Sequence, residues 1–126
     1  MLPFGMENLT LVQRVEAAVD GRTQLRYVKR CLSGCSWRRK SIWKQNGARM
    51  ERGEEVVCRI PAGQEVPHAG DYLFRGDVPE RIESTADLSA ALEKHRDAGA
   101  FRIASVADNA ANGALLAHYA ASGEGA

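Results

Sequence analysis

One stretch near the start of the chain joins an alternating strand pattern to the densest positive charge in the sequence. Polar and apolar residues alternate from about Gln24 to Leu32, which predicts a β-strand. The step Gly34-Cys35-Ser36-Trp37 follows, and its glycine predicts a bulge or kink in that strand. The segment from Arg38 to Arg52 then carries six lysine or arginine residues and one glutamate. This arrangement indicates a strand that presents a long basic loop, and it favours assembly or contact with a polyanion over catalysis.

Length, charge and cysteine usage limit the classes of protein to which the chain can belong. Its 126 residues are enough for one domain with one core. A net charge of +1 excludes a strongly basic nucleic-acid-binding domain, although it allows a local basic patch. No apolar run approaches the ~18 residues of a membrane helix, and three cysteines favour a reducing compartment over a disulfide scaffold. We expect a single domain over residues 1–126, with flexible ends at 1–7 and 122–126, no signal peptide and no membrane contact.

Closely spaced turn signals divide most of the chain into short strands. Asp20-Gly21 and Pro67-His68-Ala69-Gly70-Asp71 are typical turns, and Pro61 ends a strand because it cannot donate to a central ladder. The predicted strands lie near residues 9–15, 24–32, 55–60, 72–75, 101–106 and 115–121. Residues 13–18 also fit helical spacing, but alternation favours a strand. The segment from Arg38 to Glu55 has no sustained period and reads as a long loop or loose hairpin extension.

A single helix is predicted from Ser84 to Ala98. Ser84 or Thr85 can cap its first turn, and Asp87 places a carboxylate near the N-terminal end of the helix dipole. An apolar stripe runs along one face, and Gly99 stands at a typical C′ position. The sequence therefore predicts a mainly β fold: a small antiparallel β-barrel or sandwich of about six strands, with one helix (84–98) and a long loop (38–55).

Three cysteines and two histidines are the candidates for chemistry. Cys31, Cys35 and Cys58 with His68 or His95 would give a Cys3His zinc site, but the usual cysteine pairs are closer together on a tight knuckle. A cysteine nucleophile would need a base beside it, and no spacing enforces that contact. The sequence favours buried apolar cysteines instead, since free cysteine is among the most buried residue types. Phosphate loops, dinucleotide fingerprints and nucleophile elbows are absent from the sequence. We expect neither an enzyme nor a cofactor.

The basic loop is the strongest candidate for a functional surface. Its cations are Arg38, Arg39, Lys40, Lys44, Arg49 and Arg52, and they are interleaved with Trp37 and Trp43. Cations beside aromatic rings can contact phosphates and stack on bases. The same residues also suit a solvated hairpin arm, because charge runs usually mark exposed faces. A third interpretation is an arm that docks on a neighbouring subunit, since Trp and Arg are enriched at interface hot spots.

A series of short pieces resembles an uncharacterised family of small proteins encoded in the head–tail gene cluster of long-tailed phages and prophages. In chain order the pieces are Tyr27 with Gly34-Cys35-Ser36-Trp37, Val57-Cys58-Arg59-Ile60-Pro61, Gly70-Asp71-Tyr72-Leu73-Phe74-Arg75-Gly76, Ser84-Thr85-Ala86-Asp87-Leu88, Phe101-Arg102-Ile103-Ala104-Ser105-Val106-Ala107-Asp108-Asn109 and Leu116-Ala117-His118-Tyr119. They cover about residues 8 to 123. The chain departs from the pattern at Cys35, where an apolar residue is usual, and at Tyr119, where Trp is expected. Its helix from Leu88 to Ala98 is better formed than the pattern requires.

The resemblance implies a structural protein of the virion neck, assembled in the host cytoplasm. The layout is also similar to head-closure (stopper) proteins, small β-barrels that form a ring, usually of six, between the portal–adaptor assembly and the tail. Their long loops converge on the channel and help retain packaged double-stranded DNA. By position, the 38–52 loop would be such a channel or inter-subunit loop, with Trp37 as its anchor. The alternatives are a tail-terminator or tail-completion ring protein next to the tail tube, and a small nucleic-acid-binding barrel.

Overall fold

The computed structural model describes residues 7–109 and 118–124, and these form a mainly β domain with one helix. The elements in chain order are β1 (Glu7–Val19), β2 (Arg22–Asn46), β3 (Arg49–Pro61), β4 (Tyr72–Arg75), α1 (Thr85–Lys94), β5 (Phe101–Arg102), β6 (Ser105–Asn109) and β7 (His118–Glu124). The described ranges thus hold seven strands in one antiparallel sheet of order β5-β4-β1-β2-β3-β7-β6. The predicted fold class, mainly β with one helix, is confirmed.

Strand β2 is the central strand of the sheet, and each half of it pairs with a different neighbour. Residues 22–35 pair with β1, and residues 36–46 pair with β3. The pairing with β1 shifts by one residue between Leu9↔Leu32 and Glu7↔Cys35, which is a β-bulge. Gly34 lies at this bulge with φ +68°, a left-handed conformation that glycine adopts without steric cost. The predicted bulge at Gly34 is therefore confirmed, and the change of partner follows directly after it.

The sheet folds over into two layers around an apolar core. That core draws side chains from both halves of β2 and from every strand except β6, whose Val106 packs against its margin. Its members are Leu9, Leu11, Leu32, Cys35, Trp37, Val56, Cys58, Ile60, Leu73, Phe101, Ile103 and Ala121. The edge strands β5 and β6 do not pair with each other, so the sheet is a folded sandwich rather than a closed barrel.

One stretch of chain, residues 101–109, supplies both edges of the sheet. The backbone N–H of Ile103 donates to the carbonyl of Asp71 at 2.7 Å, beside β4, whereas that of Ala104 donates to Ser122 in β7 at 2.8 Å. Two consecutive residues therefore bind opposite edges of the sheet. This explains why the single strand predicted over 101–106 is two strands, β5 and β6. The hydrogen bonds of Ile103 and Ala104 therefore connect the two layers at the side away from β2.

Helix α1 covers the outer face of the β1–β4 layer. Alternation along the strands sends Leu11 and Leu73 into the core between the layers, and Val12 and Phe74 towards the helix. Leu88 and Ala91 pack on that second cluster with Val78, Ile82 and Ala100. Ser84 and Asp87 form a capping box, which confirms the predicted start of the helix.

The helix ends earlier than predicted. It runs from Thr85 to Lys94 with His95 as its C-cap, rather than to Ala98. A further turn follows, in which the N–H of Gly99 donates to Arg96 and that of Ala100 donates to His95. These two bonds are the pattern of a Schellman motif, and Gly99 occupies its C′ position with φ +101°. The glycine therefore ends the helical turns, as its sequence position indicates, but after a break at His95.

The largest correction concerns residues 38–55, where the predicted long loop is wrong and the alternative, a hairpin extension, is confirmed. Residues 38–46 continue β2 and residues 49–55 open β3, and the two strands pair in register from Arg38↔Val57 to Asn46↔Arg49. The turn at Asn46-Gly47 reverses the chain, with Gly47 at φ +65°. Both faces of this hairpin are largely exposed, so it lacks the polar–apolar alternation by which strands are recognised in a sequence.

The two ends of the chain differ in how far they are described. Glu7 begins β1, and residues 122–124 belong to β7, where they pair with β3. Of the predicted last strand, residues 115–117 lie outside the described residues, as do 1–6 and 125–126.

Within the described ranges, the structure contains no helix that is both long and apolar enough to cross a membrane.

Candidate functional site

The predicted functional residues lie together on a β-hairpin that we call the basic ribbon, residues 38–55. Its strands are the end of β2 and the start of β3. Strand β7 flanks β3 only from Glu55 onwards, and β1 flanks β2 only as far as Cys35. In the described part of the chain, residues 41–54 therefore pair with one another and with no third strand. The outer part of the ribbon is a two-stranded projection from the sheet.

The ribbon is basic, but less so than the sequence window suggests. Its six lysine and arginine residues face three glutamates, which leaves a net charge of +3. Lys40 Nζ lies 3.8 Å from Glu55 Oε2, so that part of the charge is neutralised across the hairpin. Lys44 lies opposite Glu51 in register, although its side chain is outside the described residues. The sequence window to Arg52 missed Glu54 and Glu55, which the fold brings beside the cations.

Two large apolar side chains stand exposed on one face of the ribbon. Trp43 is 69% exposed and Met50 is 61% exposed. Trp43 pairs with Arg52 and Gln45 pairs with Met50, so Trp43 and Met50 are diagonal neighbours on the same face. Arg52 lies directly opposite Trp43 and two residues from Met50 on the same strand, and it donates from Nη2 to Ser41 Oγ at 3.3 Å. A tryptophan, a methionine and an arginine so grouped are the residue types enriched in protein interfaces.

Trp37 lies at the root of the ribbon, where β2 exchanges β1 for β3. The side chain is 9% exposed and packs in the core between the layers. Its ring meets that of Phe101 edge-on, with the centroids 5.5 Å apart and the planes at 67°. Its Nε1–H finds no acceptor among the described residues. The tryptophan thus joins the ribbon to the opposite edge of the sandwich, which is the position that an anchor requires.

Arg39 has a contact that the sequence did not indicate. Its Nη2 donates to the carbonyl of Asp97 at 3.3 Å, in the turn that follows α1. The guanidinium lies against Gly99, so closely that a Cβ at that position would overlap it. A cation at the C-terminal end of a helical segment also interacts favourably with the helix dipole. Arg39 is exposed, as Arg38 and Arg49 are, but its contact with Asp97 holds the ribbon root to the helix end.

The three cysteines do not lie together as the candidate Cys3His zinc site would require. Cys31 is exposed while Cys35 and Cys58 are buried, because the bulge at Gly34 reverses the alternation between Cys31 and Cys35. Burial, with a smaller contribution from Glu7, raises the pKa of the Cys35 thiol to about 12, and burial also raises the pKa of Cys58. Within residues 7–109 and 118–124 no group of three or more His, Cys, Asp or Glu residues could hold a metal ion.

A charged cluster under the C-terminal end of α1 was also not foreseen. Glu80 accepts from Lys94 Nζ at 2.5 Å and lies 3.1 Å from His95 Nε2. Hydrogen bonds from Lys94, then from His95, lower the pKa of the Glu80 carboxyl to about 2. The His95 ring also packs edge-on against Phe74, with the centroids 5.7 Å apart. His95 is thus half-buried, and the cluster ties the 78–80 segment to the helix end.

A comparison with known protein families accounts for nearly the whole chain. The model of a family of unknown function, DUF6751, matches residues 5–124. The chain belongs to this family. No curated protein and no solved structure matches it. The region that matches DUF6751 includes every described element from β1 to β7, so the basic ribbon lies inside the family domain.

Proposed function

We propose that the chain is a structural subunit of a tailed-phage neck, a head–tail connector of the head-closure (stopper) type, and that the basic ribbon is its assembly arm. The observation that carries the proposal is the two-stranded projection at residues 41–54, with Trp43 69% exposed and Met50 61% exposed near its tip. An isolated two-stranded hairpin is at best marginally stable in water. A partner that covers this face would stabilise the ribbon and bury both side chains.

The partner is a further copy of the chain, in a ring of six by analogy with stopper proteins. The resemblance to head–tail cluster proteins supports this assembly, and the ribbon occupies the position of their channel loop. In such a ring the portal or adaptor would lie on one side, the tail terminator or tail tube on the other, and packaged double-stranded DNA in the lumen. A ribbon of net charge +3 on a chain of net charge +1 suits loose contact with DNA, because tight binding would need more unpaired cations.

A tail-terminator or tail-completion protein would use the same architecture at a different level of the neck. Both functions require a ring and an arm, and they differ in their neighbours. A stopper binds the portal–adaptor ring, whereas a terminator binds the end of the tail tube. Pull-down of the assembled ring with each neighbouring protein distinguishes the two functions.

Purified particles test the neck assignment. The chain should be present in tailed virions at a few copies per particle and should form a ring between head and tail by electron microscopy. Removal of its gene should give filled heads that lose DNA and fail to join tails. Intact, infectious particles that lack the chain would contradict the proposal.

A second candidate function is binding to nucleic acid through the ribbon. The favouring observation is the set of cations around the exposed Trp43, since basic grooves and aromatic rings together bind single strands. This function predicts binding to DNA that weakens steeply with salt and falls in an Arg38→Ala/Lys40→Ala variant. Arg39 is left intact in that variant because it supports the fold. Binding that is absent at low salt would exclude this candidate.

A further inference from the structure

A cleft of about 520 Å³ lies beside the turn that leads into β4. It is lined by residues 13–15 of β1, by the turn at 68–71 and by Arg102 of β5. Strand β4 pairs with β1 only as far as Tyr72↔Val12, so β1 continues past the cleft without β4 beside it. A neighbouring hollow of about 370 Å³ shares Arg102 and part of the turn with the first. Arg102 therefore belongs to both openings on this side of the sheet.

The guanidinium of Arg102 lies against the turn. Its Nη2 is 3.8 Å from the point where a Cβ on Gly70 would stand. The N–H of Gly70 donates to the carbonyl of Ile103 at 2.8 Å, which fixes the turn to the chain just after Arg102. None of the ion pairs between described residues includes Arg102. The cleft thus contains an arginine whose charge is not neutralised by a carboxylate of the described chain.

Arg14 approaches the cleft from the opposite side. Arg14 and Arg102 belong to β1 and β5, the strands that flank β4, and these are about 10 Å apart. Val12, Tyr72 and Arg102 are neighbours across the sheet, and Arg14 is two residues after Val12, so both arginine side chains leave the same face. Arg14 Nη2 lies 3.7 Å from Glu16 Oε1, and both side chains are more than half exposed. Such a surface ion pair is weak, so Arg14 can turn to a ligand.

The turn adds hydrogen-bond donors to the two arginines. The N–H groups of His68, Gly70 and Asp71 are all bonded inside the protein. The N–H of Ala69 has no acceptor among the described residues, and Ala69 lines both openings. The ring of His68 is 71% exposed at the edge of the cleft and can add an N–H from Nε2.

The acceptor atoms of the cleft, in contrast, are engaged with the protein itself. Asp71 is the single carboxylate in the lining, and it is 7% exposed. Its Oδ2 accepts from the N–H of His68 at 2.9 Å and lies 3.5 Å from Gln13 Nε2. Gln13 Oε1 accepts from Arg30 Nε at 3.1 Å. The groups left for a ligand are therefore donors, from β1, the turn and β5.

We propose that this cleft binds a phosphate group, which Arg14 and Arg102 hold from two sides and the Ala69 N–H holds from the turn. The donor set selects an anion, and the planar fork of arginine matches phosphate oxygens in pairs. Donors that arrive from three elements suit the tetrahedral oxygens of phosphate better than the two oxygens of a planar carboxylate.

Two sources present this chemistry, the phosphodiester backbone of DNA and free inorganic phosphate. Contact with the DNA backbone would position the duplex without reading its sequence. The cleft is a different surface from the basic ribbon, so phosphate binding there does not depend on ring assembly.

Binding measurements on the full chain at low salt test the site. Calorimetric titration measures the affinity for inorganic phosphate, with acetate as the planar comparison, and fluorescence anisotropy measures the affinity for a short DNA duplex. Arg102→Gln and Arg14→Gln each remove one guanidinium from the cleft. Arg22→Gln removes an exposed arginine at the start of β2, outside the cleft, and is the matched control. Circular dichroism establishes that each variant is folded.

Inorganic phosphate should bind at one site per chain and more tightly than acetate. Arg102→Gln and Arg14→Gln should each weaken binding about tenfold, which corresponds to the loss of one charge-assisted hydrogen bond. Arg22→Gln should leave it unchanged. Duplex binding that falls in the two cleft variants, without binding of inorganic phosphate, would support the site and identify the DNA backbone as the source.

Three results would overturn the phosphate site. They are no binding of either probe at low salt, binding that both cleft variants retain, and acetate binding as tight as that of phosphate. DNA binding that falls only in the Arg38→Ala/Lys40→Ala variant would likewise assign the phosphate contacts to the ribbon. Sedimentation measures ring assembly separately, so failure of the cleft and failure of the proposed function are distinguishable.

Discussion

The indole of Trp37 packs edge-on against the ring of Phe101, with centroids 5.5 Å apart, and thereby connects the central strand of the sheet to one of its edges. The pair lies where the basic ribbon leaves the body of the protein. Truncation at Trp37 therefore affects the stability of the core and the orientation of the ribbon together.

Trp37→Ala should lower the free energy of unfolding by about 3 to 5 kcal/mol, the usual cost of removing a large buried aromatic side chain. Trp37→Phe should cost less, because it keeps a ring and also removes an N–H that has no acceptor among the described residues. Trp43→Ala is the matched control, and at 69% exposure it should change stability by no more than about 0.5 kcal/mol. Urea denaturation of the three variants measures these differences. A Trp43→Ala loss as large as that of Trp37→Ala would contradict the assignment of anchor and arm.

Gly99→Ala should be more destabilising than Gly47→Ala, although both glycines have positive φ, +101° and +65°. The backbone conformation alone costs an alanine roughly 1–2 kcal/mol at either position. At Gly99 the new Cβ also displaces the guanidinium of Arg39, whereas at Gly47 nothing lies within 4 Å. We expect an excess of about 0.5 kcal/mol for Gly99→Ala, because the displaced guanidinium is the mobile end of an exposed side chain and loses one hydrogen bond, to Asp97.

The excess should disappear in an Arg39→Ala background, since the side chain that Cβ displaces is then absent. Chemical denaturation of Gly99→Ala and Gly47→Ala, each alone and each combined with Arg39→Ala, measures the excess. Equal losses at Gly99 and Gly47 would mean that Arg39 does not hold the ribbon root to the helix end.

Acid should destabilise the protein through Glu80. The pKa of this carboxyl is about 2 in the folded state against 4.5 ordinarily, because Lys94 and His95 donate to it. A lowered folded-state pKa stabilises the fold above the unfolded pKa, and that contribution is lost as the pH falls from about 4.5 towards about 2. Glu80→Gln should therefore be less stable than the wild type near neutral pH, and the difference should shrink over that interval. Denaturation at a series of pH values measures it, with the exposed Glu83→Gln as control; a difference independent of pH would contradict this role.

One thiol should react in the folded protein and three after unfolding. Cys31 is exposed, whereas Cys35 and Cys58 are buried and burial raises the pKa of both. Only the thiolate reacts readily with thiol reagents, so the two buried cysteines should stay unmodified at neutral pH. Mass spectrometry after alkylation counts the modified residues, and Cys31→Ser should leave none in the folded state. Rapid modification of Cys58 would restore the thiol-enzyme hypothesis.

Local signals in the sequence predicted much of the fold. The turn at Asp20-Gly21, the bulge at Gly34 and the capping box at Ser84 and Asp87 all depend on a few adjacent residues, and the structure contains each of them. Strand β4 was predicted with its observed bounds, Tyr72–Arg75. Each of these features is decided by the conformational preference of one or two residues, so the sequence alone was sufficient.

The features that the sequence missed depend on contacts between distant residues. Residues 38–55 look like a loop because exposed strands lack alternation, and only pairing between β2 and β3 shows their structure. Arg39 donates a hydrogen bond to Asp97, which is 58 residues further along the chain, and no local pattern reveals such a contact. The break between β5 and β6 arises because Ile103 and Ala104 bind opposite edges of the sheet. The candidate ribbon was thus found by its charge, and its shape came from the fold.

Removal of the ribbon tests the central claim, that this hairpin joins copies of the chain. Lys40 and Glu55 are cross-strand partners, so an Asn-Gly turn can replace residues 41–54 and close a shorter hairpin. Neither apolar cluster contains a residue from 41–54, and the shortened protein should therefore fold with the same core. Sedimentation velocity of both proteins should show an oligomer for the full chain and a monomer for the shortened one. A shortened chain that assembles to the same oligomer as the full chain would contradict the account.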